Sequence, residues 1–355
     1  MELRIIQKWA LILLIAVLTT VILFYAKALL VPIVFGALLS MLLLPVAKWF
    51  QRKGLPKALA TFLTILLLVI LFAIVVGLIS WQISGIAEDA SKIEQQVSKR
   101  YDELRNYVAE HLGVSKQKQT EMIQKQQESS SGKMGAMLTG FIAGVGGFLT
   151  DFILVLVYIF LFIYYRHRLK GFLIRIVPQE QEANAEEIVD NAKTVTQKYL
   201  TGLGLMIVCL WILYGIGFTI AGVKNSVFFA VLCGICEIVP FIGNLFGTAV
   251  TVLMTLAQGG SMNMIIGVIV TYAVVQTFQS YVLEPLVVGA EVNINPVFTI
   301  IGLVAGEALW GIPGMILAIP LLGILKIVCD HIESLKPFGY LIGQEKKKKK
   351  KTSAS

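Results

Sequence analysis

Residues 226–257 read SVFFAVLCGICEIVPFIGNLFGTAVTVLMTLA. The run is apolar apart from its middle and longer than the ~20 residues a helix needs to cross a bilayer. Its middle, CEIVPFIGN, sets a carboxylate (Glu237), a proline (Pro240), a glycine (Gly243) and an amide (Asn244) together. Proline removes a backbone donor and clashes with the preceding turn. Backbone groups freed in this way find no partner in lipid, so the break must be buried in protein or line a polar cavity. The stretch is therefore expected to be two short helices around a break.

The rest of the chain fits that setting. Of 355 residues, 57% are hydrophobic and only 15% charged, and the mean hydropathy is +0.79. Soluble domains carry about 25% charged residues. The chain is thus read as an all-α, polytopic helical membrane protein, with the lipid bilayer as its first partner. Its net charge of +8 does not indicate nucleic-acid binding, because the Lys346–Lys351 run lies in the tail and the other basic clusters flank apolar segments. The four cysteines all fall in apolar stretches, so neither a disulfide framework nor a redox site is expected from CGIC at 233–236.

Spanning stretches are expected at about 9–26, 28–50, 58–83, 137–165, 201–222 and 262–283. Basic clusters (Arg4 and Lys8; Lys48, Arg52, Lys53 and Lys57; Arg166, Arg168, Lys170 and Arg175) share one side if each segment crosses once. By the positive-inside rule that side is the cytoplasm, which also receives both termini. Six units follow: N-terminal membrane helices (1–83), an exported polar insert (84–136), the fourth span with its basic flank (137–178), a cytoplasmic amphipathic helix (179–200), a core with two broken segments (201–330) and a Lys-rich tail (331–355). The insert balances acidic and basic residues and spaces its apolar positions as an amphipathic helix does.

The second broken segment lies at 297–329. An apolar half carrying Glu307 is followed by the turn Gly311, Pro313 and Gly314, then by a second half containing Pro320. Each broken segment follows an ordinary span. Paired Gly/Pro-interrupted segments in corresponding places point to a transporter's binding site. Two topologies are open: six spans plus two re-entrant helical hairpins, or eight spans. Half-lengths of about 13 residues favour hairpins. The loop 284–296, with acids and no basic residue, favours eight spans.

Polar residues at depth supply the candidate solute- or ion-binding groups. Glu237, Asn244 and Glu307 lie beside the breaks. Asp151 is expected near the middle of the fourth span, where an acid is costly and functional by default. Gln276 and Gln279 share a helix face at i, i+3. Glu284, Pro285, Gly289, Asn293, Asn295 and Pro296 form a polar, turn-rich connection. The pairs Gly243/Gly247 and Gly302/Gly306 have the small-xxx-small spacing of close helix packing.

No nucleotide-binding loop, HExxH motif or cofactor signature occurs, and His111, His167 and His331 lie outside the spans or at their edges. Neither a cofactor nor a bound metal is expected, and the chain is not read as an enzyme. The function expected is gradient-driven transport of a small polar solute, or of a monovalent cation or proton as in a sodium/proton antiporter. A non-transporting scaffold is the alternative from another class.

EIVPFIGNLFG at 237–247 resembles the ExxPxxG signature of the autoinducer-2 exporter (AI-2E) family of bacterial permeases. EPLVVG at 284–289, INP at 294–296 and GIPGMILAIP at 311–320 resemble that family's C-terminal signature. The resemblance implies a multi-pass inner-membrane permease forming a homo-oligomer. Some members are assigned export of the quorum-sensing signal autoinducer-2, others sodium/proton antiport, and many have no known substrate. The motif positions carried over are Glu237, Pro240, Gly243, Pro285, Gly289, Pro296, Gly311, Gly314 and Pro320. Asp151 is not among them.

Overall fold

The computed structural model describes residues 2–88, 149–239, 242–288 and 293–344. The expected exported insert beyond residue 88, the first part of the fourth span (137–148), Pro240, Gly289 and the lysine run lie outside these residues.

The architecture is all-helical. α1 (Glu2–Tyr25), α2 (Lys27–Arg52) and α3 (Lys57–Glu88) follow one another with short connections. α4 (Leu149–Tyr164) meets α5 (Arg166–Arg175) at a bend of 72°. α6 (Glu182–Ile220) is a single helix of 39 residues, about 58 Å long at 1.5 Å per residue. The amphipathic stretch 179–200 and the fifth span are thus continuous, with no break at residue 200. α7 (Ser226–Cys236), α8 (Ile242–Ala257) and α9 (Met262–Phe278) follow. α9 passes directly into a π-helical segment, Gln279–Val288. α10 (Pro296–Trp310), α11 (Ile312–His331) and the short α12 (Lys336–Ile342) complete the described chain.

Six of these helices have the length and apolarity to cross a membrane, or seven if the bent α4–α5 pair counts as one span. The protein is a polytopic membrane protein. One expectation is corrected. The second half of the 297–329 segment is not a half-length helix, because α11 runs 20 residues to His331 and reaches spanning length. α7, α8 and α10 are the shorter apolar helices.

α6 is the mast of the core. Its buried positions Met206, Leu210, Tyr214 and Phe218 recur every four residues, one stripe of the helix. Phe229, Ala230 and Cys233 of α7, Val268 and Val275 of α9, and Leu283 of the π-helical segment pack against that stripe. A smaller cluster joins Ala47 of α2 to Ile159 and Ile163 of α4. There Arg166 donates to Gln51 Oε1 at 2.9 Å, and the Lys57 ammonium lies 5.0 Å from the Tyr164 ring centroid. These contacts hold the α2–α3 turn against the bend.

Both broken segments fold back on themselves. A Cβ at Gly243 would collide with the carbonyl of Cys236, and one at Gly247 would crowd the Cα of Cys233. The two glycines therefore let α8 lie against α7. In the second segment Gly306 and Gly314 bring α10 and α11 together backbone to backbone. The chain reverses at Gly311, whose φ of 67° and ψ of −146° are open to glycine and few other residues. Trp310 Nε1 donates to the Leu23 carbonyl at 2.9 Å, pinning this reversal to α1.

Beyond the apolar layer, Lys170 of α5 donates to Glu186 and Asp190 of α6 at 2.8 and 3.0 Å. Those two hydrogen bonds, Glu186 first, hold its ammonium above the ordinary lysine value. Asn184 donates to the His331 carbonyl, and residues 293–295 pair with the stretch after α12, as in the bridge Ile294–Gly343.

Candidate transport site at the first helix break

The turn after α7 releases the chain at Glu237, and α8 restarts at Ile242. The seventh hydrophobic region, α9 and its π-helical continuation, faces this break. Gln279 Nε2 donates to Glu237 Oε1 at 2.5 Å. One turn earlier, Gln276 Oε1 accepts from Asn244 Nδ2 at 2.5 Å. Thus each glutamine holds one side of the break. Tyr214 of the α6 stripe donates its hydroxyl to Asn244 Oδ1 at 2.7 Å. Gln276 Nε2 reaches toward Ser280 Oγ at 3.5 Å.

Glu237, Asn244 and Gln279 are buried. Their hydrogen bonds do not exhaust their capacity. Glu237 Oε2 and Gln279 Oε1 are buried and have no hydrogen-bond partner among the described residues. A carboxylate offers about four lone-pair sites, and a single amide donor leaves most of them open. Such open acceptors in a low-dielectric interior are costly.

The π-helical segment is part of the site. Pro285 lacks an N–H, and local π geometry is one way a membrane helix re-pairs the backbone groups that a proline frees. It begins at Gln279, the residue that contacts Glu237. π-turns cluster at functional sites.

From Asn244 a polar stripe continues along α8. Thr248, Thr251 and Thr255 are buried with Asn244, and Gln258 lies one turn beyond. Their spacings of four, three, four and three residues put them on one face. Thr251 and Thr255 bond back to the carbonyls of Gly247 and Thr251. Thr248 Oγ1 and Gln258 Oε1 are buried without a hydrogen-bond partner among the described residues. The stripe covers about 21 Å of helix rise.

The sequence-derived candidates divide. Glu237, Asn244, Gln276 and Gln279 form one group. Glu284, exposed on the π-helical segment, lies close enough to interact electrostatically with Glu237 and Tyr199. Glu307, on α10, and Asp151, in the first turns of the described α4, are exposed on the single chain and make no bond to this group. Pro296 and Pro313 each lie in the first turn of a helix. Pro320 is buried within α11, which continues through it, so it marks no helix end. Tyr214 and the threonine stripe were missed. The threonine spacing was legible in NLFGTAVTVLMT, whereas Tyr214 stands in the sequence as one more large residue of an apolar stripe.

Among the described residues, no three His, Cys, Asp or Glu side chains group as metal ligands would. The profile described as AI-2E family transporter matches residues 11–334. The chain belongs to the AI-2E transporter family. Three similar proteins match this chain in sequence over most of their own length. A Bacillus subtilis protein carrying the name "Putative transport protein YrrI" is 25% identical over 316 residues, 86% of this chain and 87% of the relative. YueF of the same organism, under the same designation, is 24% identical over 323 residues, 85% and 84% of the two chains. YhhT of Escherichia coli K12, again so designated, is 21% identical over 319 residues, 90% and 89%. The family is a family of transporters. All three of these relatives come from bacteria.

Proposed function

We propose that this AI-2E family member is a gradient-driven secondary transporter, and that its solute passes the break between α7 and α8. The observation that carries the reading is the pairing of Glu237 with Gln279. It is a buried carboxylate at a helix break, held by one amide, with its second oxygen open among the described residues. An acid at such depth costs about 2.5–3.5 kcal/mol on insertion scales. A structural kink has no use for it, whereas a carrier needs a group that gains or loses a cation or proton.

The open atoms beside Glu237 are the acceptor oxygens Glu237 Oε2 and Gln279 Oε1. This oxygen-only surface favours a monovalent cation or proton at that position, the behaviour of a sodium/proton antiporter, over a negatively charged solute. The stripe from Asn244 to Gln258 then lines part of the path. Alternating access would come from the α7–α8 and α10–α11 hairpins moving against α1 to α4. In this reading the basic side, with both termini, faces the cytoplasm of a bacterial inner membrane, and the protein works as a homo-oligomer.

The test is flux in proteoliposomes loaded with a pH-sensitive dye and given a sodium gradient. Native protein should change the internal pH. No response to sodium, lithium or potassium, at a protein density that exchanges an organic solute, would overturn the cation assignment.

A further inference from the structure

The 72° bend between α4 and α5 creates a concave surface distant in sequence from the Glu237 group. The cleft measures about 520 Å³, within the ~300–1,000 Å³ of small-molecule pockets. Tyr158, Leu161, Tyr165, Leu169 and Phe172 line it together with Arg168. The apolar residues recur every three or four positions and form one stripe that runs through the bend. Folding the stripe by 72° turns a flat apolar face into a trough. Its position is fixed from behind: Gly36 lets α2 approach the backbone at Tyr158, and Ile159 and Ile163 are buried on the opposite face.

The two arms of the trough differ. α4 is an apolar helix of the membrane layer. α5, RHRLKGFLIR, mixes five cationic or titratable residues with exposed Leu169, Phe172 and Leu173. That pattern suits a helix lying in the interface plane. The basic residues of this helix do not all stand alike. Arg166 is bonded to Gln51, and Lys170 to Glu186 and Asp190. Arg168, which lines the trough, is exposed and has no ion pair or hydrogen bond among the described residues.

We propose that this trough binds one phospholipid with an anionic headgroup. An acyl chain lies along the stripe from Tyr158 to Phe172, and the headgroup phosphate meets the guanidinium of Arg168. The charge decides the occupant. An apolar groove alone fits any chain or a second protomer, but a groove at the interface that includes an unpaired guanidinium complements a lipid phosphate. Guanidinium forks bind phosphate oxygens in pairs, and basic pockets beside membrane helices hold anionic headgroups.

Native mass spectrometry of the detergent-purified chain, titrated with phosphatidylglycerol and separately with phosphatidylcholine, tests this. Phosphatidylglycerol should be retained at least fivefold better. Arg168→Gln and the groove-filling Leu161→Trp should each cut that retention about fivefold. Arg175→Gln, an exposed arginine of the same helix outside the trough, should leave it within twofold. Equal loss in Arg168→Gln and Arg175→Gln would show a diffuse charge effect and overturn the site. Unchanged retention in Arg168→Gln and Leu161→Trp would also overturn it. A photo-crosslinker at Phe172 should capture lipid. Capture of a second copy of the chain there would assign the trough to a protein interface and overturn the proposal. Size-exclusion profiles confirm that each variant is folded.

Discussion

Gln279 and Glu237 lie 42 positions apart in sequence, yet the amide of one donates to the carboxylate of the other at 2.5 Å. One helical turn back the direction reverses, and Gln276 Oε1 accepts from the Asn244 amide. The break between α7 and α8 is thus gripped at both sides by a single intact neighbour. Any movement of the hairpin must release or carry these two amides.

Replacing Gln279 by Leu leaves Glu237 buried with no donor. Stranding a buried charged acceptor costs about 1–3 kcal/mol or more. We expect Gln279→Leu to lower the thermal midpoint clearly, and Gln279→Leu combined with Glu237→Leu to recover most of that loss. The pair of melting curves checks it. A double variant no better than the single would show that the amide and carboxylate do not act as a pair.

Asn244→Leu removes an acceptor from Tyr214 and a donor from Gln276 together. Its cost should reach about 1–3 kcal/mol, whereas Tyr214→Phe, which removes one hydroxyl, should cost about 0.5–1.5 kcal/mol. Because the three groups form one chain, the two changes should be non-additive. A double-mutant cycle on unfolding measures the coupling. Simple addition would contradict the chain.

The reversals depend on close backbone approach. Gly243→Ala and Gly314→Ala place a methyl against a carbonyl of the facing helix of the hairpin. Overpacking of this kind costs about 1–3 kcal/mol, occasionally more. Gly77→Ala, where a Cβ meets open space, should be neutral or slightly stabilising. Yield and melting point of the three variants side by side provide the measurement. Equal behaviour would mean that the hairpins are not tightly packed.

The clamp between α5 and α6 rests on Lys170, with Glu186 and Asp190 raising its ammonium above the ordinary value. A raised lysine contributes stability that is fully present below its unfolded value and is lost as pH rises through the folded one. The clamp should therefore be intact at neutral pH and fail only in the alkaline range. Lys170→Gln should cost no more than about 1 kcal/mol, since the pair is partly solvated. It should also flatten the alkaline limb of a melting-point-against-pH curve. A native-like alkaline limb in Lys170→Gln would place that dependence elsewhere.

The helical class and the two breaks were legible in the amino-acid sequence because lipid imposes length and hydropathy on every span, and Pro/Gly pairs interrupt them visibly. Four of the polar candidates, Glu237, Asn244, Gln276 and Gln279, meet in space. Their pairing was not legible, because nothing in local spacing reports which face of α9 turns toward the break. Glu307 was chosen for its place beside the second break and Asp151 on expected depth alone, and neither ground says whether a side chain points inward. The continuity of α6 was hidden by its change from polar to apolar composition near residue 200. Backbone hydrogen bonding runs through that change, because helix formation is indifferent to which solvent surrounds each turn. The 20-residue length of α11 was obscured by Pro320, which the helix absorbs.

The central claim is that Glu237 handles the transported ion or proton. The most direct measurement is the initial rate of sodium-driven pH change in dye-loaded proteoliposomes, comparing native protein with Glu237→Gln at equal, folded incorporation. The account predicts at least a tenfold lower rate for Glu237→Gln, with its thermal midpoint at or above the native one. A Glu237→Gln rate equal to the native one would contradict it.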